Sequence, residues 1–174
     1  MDVRTLTDSD IDALLPSLTT LLVANVADGA SIGFHPPLAR SDAERYWRGV
    51  RAGVRQGERL MLGAFDASGA LVGSAQLALE HRPNGRHRAE VQKVIVSPGV
   101  RRRGVGRQLM QALEDAARAA GRRLLVLDTR EGDAAERMYR ALGWEFVGRV
   151  PGYVLEHDGT THATLIFYRA LPAP

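Results

Sequence analysis

The stretch with the clearest capacity for chemistry is Val96-Ser97-Pro98-Gly99-Val100-Arg101-Arg102-Arg103-Gly104-Val105-Gly106-Arg107. Gly104 and Gly106 leave no side chain where backbone amides must come close to an anion. A helix opening at Val105 adds unpaired amides and the positive end of its dipole. Arg101, Arg102, Arg103 and Arg107 add charge-assisted donors. The chemistry this predicts is the binding of a phosphate-like group. A P-loop would need four residues between its glycines and a lysine after the second, and a dinucleotide fingerprint would need a third glycine where Leu109 stands. Neither fits. The plain alternative is a glycine-punctuated helix start with solvated arginines.

The elements around this loop decide what it can serve. Residues 88–96 read as a strand ending at Ser97-Pro98. Residues 105–120 read as a helix with Val105, Leu109, Ala112, Leu113 and Ala116 on its inner face, and 124–129 as a continuous apolar strand. Residues 134–142 form a second, shorter helix closed by Gly143. A strand, helix, strand crossover requires the two strands to be parallel neighbours in one sheet. Upstream, residues 3–6 form a strand. Ile11, Leu14, Leu15, Leu18, Leu21 and Leu22 then follow helical spacing, with Thr7 and Asp10 as an entry cap and Pro16 kinking the helix or opening its second half. A helix over 41–56 is expected to open with a capping box of Ser41 and Glu44. Residues 29–37, Gly-Ala-Ser-Ile-Gly-Phe-His-Pro-Pro, read as an irregular loop. Strands at 59–65 and 71–79 flank a turn at Asp66-Ala67-Ser68-Gly69, and strands at 144–150 and 163–170 close the chain around Asp158-Gly159.

Bulk properties narrow the field without choosing a function. A chain of 174 residues suits one domain, taken as 1–174, and 45% hydrophobic with 25% charged residues is ordinary for a globular protein. The net charge is +3, and of 23 basic residues a single one, Lys93, is lysine. The arginines are scattered apart from the run at 101–103, which argues against a nucleic-acid partner. No apolar stretch approaches the ~20 residues of a membrane span, and the N-terminus lacks the pattern of a secretory signal, so no membrane partner and a cytoplasmic location are expected. There is no cysteine, which excludes disulfides, thiolate metal sites and a cysteinyl-acyl intermediate. His35, His81, His87, His157 and His162 form no pair at metal-ligand spacing, so no metal is expected.

Arg101, Gly104 and Gly106, with the preceding Val96 and Pro98, match the signature of the GNAT acetyltransferases: arginine or glutamine, two residues, glycine, one residue, glycine or alanine. Ala135, Tyr139, Leu142, Gly143 and Trp144 resemble the second block of that family, with Gly132 where an asparagine is usual. Gly29 to Phe34, Arg88-Ala89-Glu90-Val91-Gln92-Lys93, Leu127-Asp128-Thr129 and Pro151-Gly152-Tyr153 are most similar to the tabtoxin resistance protein type, which acetylates a small β-lactam amino acid. His35-Pro36-Pro37 is not part of that pattern.

The resemblance implies an α/β (α+β) GNAT fold, a mixed, mostly antiparallel sheet of about seven strands splayed at two parallel central strands and flanked by helices. It implies acetyl-CoA as acyl donor. The loop residues Arg101, Arg102, Arg103, Gly104, Val105, Gly106 and Arg107 would hold the pyrophosphate, and main-chain groups of Val94, Ile95 and Val96 the pantetheine arm. Glu90 and Asp128 would act as base or water-relay groups, since an ammonium must lose a proton before it attacks a thioester. The plainer alternatives are Glu90 paired with Arg88, and Asp128 capping the next helix or paired with Arg130. Tyr139 would protonate the departing thiolate, or else be an ordinary core aromatic. Ser31, Phe34, His35 and Tyr153 are expected around the acceptor, a small-molecule amine resembling an amino acid, toxin or antibiotic. Acetylation of peptide or protein amines and a non-catalytic CoA-binding regulatory domain are the rival readings. A monomer or homodimer is expected.

Overall fold

The computed structural model describes residues 1–172. Seven strands, β1 (Asp2–Thr5), β2 (Arg59–Phe65), β3 (Leu71–Leu79), β4 (Arg88–Val96), β5 (Leu124–Arg130), β6 (Glu145–Leu155) and β7 (Thr161–Ala170), form one sheet in the order β1-β2-β3-β4-β5-β7-β6. Every neighbouring pair is antiparallel except β4 and β5, which are parallel. Between those two the chain crosses over through helix α4 (Val105–Ala119), as the sequence requires. The expected mixed, mostly antiparallel sheet with one parallel central pair is therefore present.

Helices cover both faces. On one side lie α1 (Asp8–Ala13), α2 (Leu15–Ala27) and α3 (Arg40–Arg55); on the other lie α4 and α5 (Ala134–Ala141). The pleat divides the strands accordingly. Met61, Phe65 and Ile95 pack with Ile11, Leu18, Leu22 and Trp47, whereas Leu62, Leu77, Val91, Leu125 and Leu127 pack with Val105, Leu109 and Leu113. In α3 the buried residues Ala43, Trp47, Val50 and Gly53 recur at helical spacing, Tyr46 and Val54 pack beside them, and most of the arginines of this helix face outward.

Local signals hold in part. Thr7 and Asp10 form the expected reciprocal cap, with the Asp10 amide donating to Thr7 Oγ1 at 3.1 Å and the Thr7 amide donating to Asp10 Oδ2 at 2.9 Å. Pro16 sits in the first turn of α2, so the N-terminal pattern is two helices meeting at Leu14. The capping box at Ser41 and Glu44 is absent. Helix α3 starts at Arg40 with Ala39 as its cap, which leaves Ser41 inside the first turn, and Glu44 is instead paired with Arg48 at 3.1 Å. Strand β6 runs to Leu155, beyond the expected 150, because Pro151 and Gly152 lie within a register shift between Val150 and Val154 of an edge strand, where a missing donor is tolerated.

The feature that shapes the site is where β4 and β5 part. Their register consists of Arg88↔Leu124, Ala89↔Leu125 and Glu90↔Val126, and no pair follows. Beyond this point β5 stays with β7 as far as Arg130↔Thr164, and β4 stays with β3 as far as Gly73↔Val96. Between Gln76↔Gln92 and Ser74↔Ile95, β4 has two residues, Lys93 and Val94, opposite one on β3. This is a β-bulge, with Lys93 at φ 51°, and a bulge bends and twists its strand. The sheet opens into a V whose arms are the C-terminal halves of β4 and β5.

Candidate functional site

A cleft of about 630 Å³ occupies the mouth of this V. Glu90, Gln92, Lys93 and Val94 line it from β4, Asp128 and Arg130 from β5, and Tyr139 from α5. The loop containing Ser31, Phe34 and His35, and the end of β6 with the turn after it, Tyr153 to His157, line its remaining sides. Sequence positions far apart thus converge: Glu90, Asp128, Tyr139, Ser31, Phe34, His35 and Tyr153 all border one space.

The two carboxylates have free capacity. Asp128 is solvent-exposed and accepts from Thr164 Oγ1 at 2.7 Å, so it neither caps α5 nor pairs with Arg130. Glu90 is exposed and accepts from Gln92 Nε2 at 3.0 Å, while Arg88 pairs with Glu80 at 3.3 Å. Each carboxylate therefore keeps lone pairs for a ligand. Tyr139 is 5% exposed, its ring against Trp144 and Phe167 at centroid distances of 6.0 and 6.2 Å. Burial, and secondarily the charge of Asp128, push its phenol well above the usual tyrosine range. It is consequently a protonated donor across the neutral range. Trp144 is buried beside it, as expected of a core residue.

Two latches hold the cleft's rim. Arg130 donates from Nη1 to Glu156 Oε1 at 2.7 Å, from Nε to Asp133 Oδ1 at 3.1 Å and from Nη2 to the Gly29 carbonyl at 3.1 Å, joining β5, the β6–β7 connection and the 29–37 loop. His35 lies 2.8 Å from the Leu155 carbonyl through Nε2 and faces the His157 ring at 6.5 Å. The imidazole is committed to this tie, so within the site it shapes the wall. Phe34 packs edge-on to Tyr46 at 5.3 Å, and Tyr153 is 60% exposed at the mouth.

At the other end of the V the arginine-glycine loop precedes α4. Gly104 is the N-cap of α4 at φ 81°, and nothing lies within 4 Å of the place its Cβ would take. No side chain caps this helix, so its first amides face open space. Arg102, Arg103 and Arg107 are exposed and carry no ion pair among the described residues. Two expected members of the loop also make contacts within the fold. The Arg101 guanidinium is ion-paired to Asp28 and donates to Asn25 Oδ1 at 2.9 Å, which pins the loop to the end of α2. A Cβ on Gly106 would stand 3.0 Å from Met138 Sδ, so this glycine also lets α4 approach α5. Val105 is buried in the core, leaving only its main chain to the ligand side. Val94 and Val96 are half-buried on the unpaired arm of β4, and Ile95 is buried against α1–α3.

Residues 28–144 match the Acetyltransferase (GNAT) family, and the chain belongs to it. A protein of Azospirillum brasilense described as an uncharacterized N-acetyltransferase in the hisH-hisA intergenic region is 41% identical over 108 residues, 61% of this chain and 62% of that protein. The L-methionine sulfoximine/L-methionine sulfone acetyltransferase of Pseudomonas aeruginosa is 32% identical over 139 residues, 79% of this chain and 78% of its own. Among solved structures, a phosphinothricin acetyltransferase from Sinorhizobium meliloti in complex with acetyl-CoA superposes with a TM-score of 0.78 at 22% identity, covering 98% of this chain and 88% of that one. Acetyl-CoA is thus the acyl donor of the class, and the residues here suit it. The uncapped helix start with open space at Gly104 and the free arginines match its pyrophosphate, and the unpaired β4 arm matches its amide-bearing arm. Among the described residues there is no cluster of acidic, histidine or cysteine side chains that could hold a metal, and no helix long and apolar enough to cross a membrane.

Sequence reasoning did not single out Arg130, Thr164 or Lys93 as site residues. Arg130 and Thr164 act through partners up to 101 residues away, which leaves no local mark. Lys93 did carry a signal as the lone lysine of an arginine-rich chain.

Replacing Gly104 with glutamate places a carboxylate at the uncapped start of α4, on the side that would face the pyrophosphate. Acetyl-CoA affinity measured by calorimetry is expected to fall at least about 10-fold, with far-UV dichroism and cooperative unfolding preserved. Unchanged affinity in the folded variant would move the cofactor site elsewhere.

Proposed function

We propose that the protein transfers the acetyl group of acetyl-CoA directly to the amine of a small, amino-acid-like molecule. The observation that carries this reading is the rimmed cleft itself. Two carboxylates with free lone pairs and one buried phenol border the same 630 Å³, and two latched loops narrow it to the size of a compact ligand. The relative from Pseudomonas aeruginosa, named for sulfur analogues of an amino acid, supports the acceptor class. An amino-acid toxin or antibiotic belongs to the same class.

Acetyl-CoA supplies an electrophilic thioester carbonyl and a thiolate leaving group. The chain supplies proton traffic and position. Glu90 and Asp128 draw the acceptor ammonium into the V and take one proton, directly or through a water, which frees the nitrogen lone pair for attack on the carbonyl carbon. Tyr139 donates its phenolic proton to the sulfur as the carbon–sulfur bond breaks. The second nitrogen proton leaves as the amide forms, and with the phenol restored the turnover releases one proton to solvent. With no cysteine in the chain to carry the acetyl group, transfer proceeds with both ligands bound together.

The test is thiol release from acetyl-CoA across free amino acids, methionine sulfoximine, methionine sulfone and lysine-containing peptides. Turnover of the small amines with little for peptides is expected. Efficient turnover of peptides alone would contradict the acceptor class, and no thiol release with any amine would leave a binding domain without catalysis.

Tyr139→Phe keeps the ring packing and removes only the donor. Acetyl-CoA affinity should be unchanged while the single-turnover acetylation rate falls about 10- to 1000-fold. A wild-type rate, measured with chemistry limiting, would assign Tyr139 to packing.

A further inference from the structure

The cleft carries one cation that nothing in the protein neutralises at short range. Arg130 is satisfied by Asp133, Glu156 and a carbonyl, and Arg59, on β2, donates to Gln76 Oε1 and Gln92 Oε1 at 2.9 and 2.7 Å. Lys93 differs. Among the described residues no hydrogen bond or ion pair reaches its ammonium, although the side chain is mostly buried and lines the cleft. Nζ lies 6.0 Å from the centre of the Tyr46 ring and 3.5 Å from where a Cβ on Gly33 would stand. Taking an ammonium out of water without a partner is costly, and sites that do so commonly await an anion.

The backbone repeats the message. Lys93 is at φ 51° in the β4 bulge, a left-handed conformation that is strained for a non-glycine residue and is kept where geometry is needed. The bulge takes Lys93 out of the alternation of β4, and its side chain lines the cleft together with Glu90 and Asp128. Every other basic side chain of the protein is an arginine. The compact Lys93 ammonium stands between Gly33 and the Tyr46 ring.

The two arms of the cleft therefore present two carboxylates and one unpaired ammonium, the inverse of an amino-acid zwitterion. We propose that Lys93 is the anchor for the acceptor's carboxylate and selects acceptors that carry one, while Glu90 and Asp128 receive the amine. This rests on the small amino-acid-like acceptor proposed above and assigns to a lysine the contact that the chain's many arginines might be expected to make. Burial, with Arg59 next in effect, holds the Lys93 ammonium below the usual lysine range, while Asp128 and Glu90 act in the opposite sense; a bound carboxylate would restore the charge.

The experiment measures thiol-release kinetics with pairs of acceptors that differ only in an α-carboxylate or its carboxamide, for wild type, Lys93→Met and Lys93→Gln. Wild type is expected to favour each acid over its amide. In both variants KM for the acids should rise about 10- to 100-fold, with the amides and acetyl-CoA affinity little changed. Equal losses for acid and amide, or no change for the acid, would overturn the anchor while leaving the small-acceptor reading intact. Wild type showing no preference for acids over amides would also overturn it, without recourse to any variant. Turnover of peptides alone would remove the small-acceptor reading first and the anchor with it.

Discussion

The pairing of β4 with β5 stops after Glu90↔Val126, and the rest of the site is a consequence of that stop. Each strand has a full partner on its outer side, β3 for β4 and β7 for β5, so neither half of the sheet needs the other to satisfy its outer edge. The bulge at Lys93 and Val94 bends β4 away and leaves main-chain groups of its outer half without a β5 partner, free to serve as a binding edge. A parallel pair is the natural place for such a break, because its crossover helix starts beside the opening. Here α4 begins ten residues or so after the bulge and aims its uncapped amides at the same gap.

Charge within the opening is apportioned with little redundancy. Arginines that hold the frame are consumed by it: Arg101 by Asp28 and Asn25, Arg130 by Asp133, Glu156 and Gly29. Those left exposed at the loop, Arg102, Arg103 and Arg107, lie where a polyphosphate would sit. In the acceptor cleft Glu90 and Asp128 keep free lone pairs, and Tyr139 is held protonated by burial. On the function proposed above, this separation of roles would bring a cofactor of strong negative charge and an ammonium to opposite ends of a single V.

Much of this was legible from the sequence. Strand periodicity and the crossover led to the parallel pair, the family resemblance led to the mostly antiparallel sheet around it, and the reciprocal cap of Thr7 and Asp10 was written three residues apart. What escaped was set by tertiary contact. Ser41 and Glu44 spell a capping box, yet docking of Ala43, Trp47 and Val50 fixes the helix start at Arg40. Pro151 and Gly152 read as a strand stop but occupy a bulge on an edge. Gly106, singled out for the anion loop, also sits where a Cβ would crowd Met138 of α5, a contact that no local pattern shows. The turn of Lys93 into the cleft is invisible in Val-Gln-Lys-Val, because a bulge of non-glycine residues leaves no compositional trace.

Residue-resolved amide hydrogen exchange, with and without acetyl-CoA, tests most directly whether the open arm of β4 is the binding edge. The account predicts that binding slows exchange in residues 91–96 and at the start of α4, with little change in 88–90, where β4 already pairs with β5. Slowing spread evenly along β4, or confined to parts of the molecule outside the V, would contradict it.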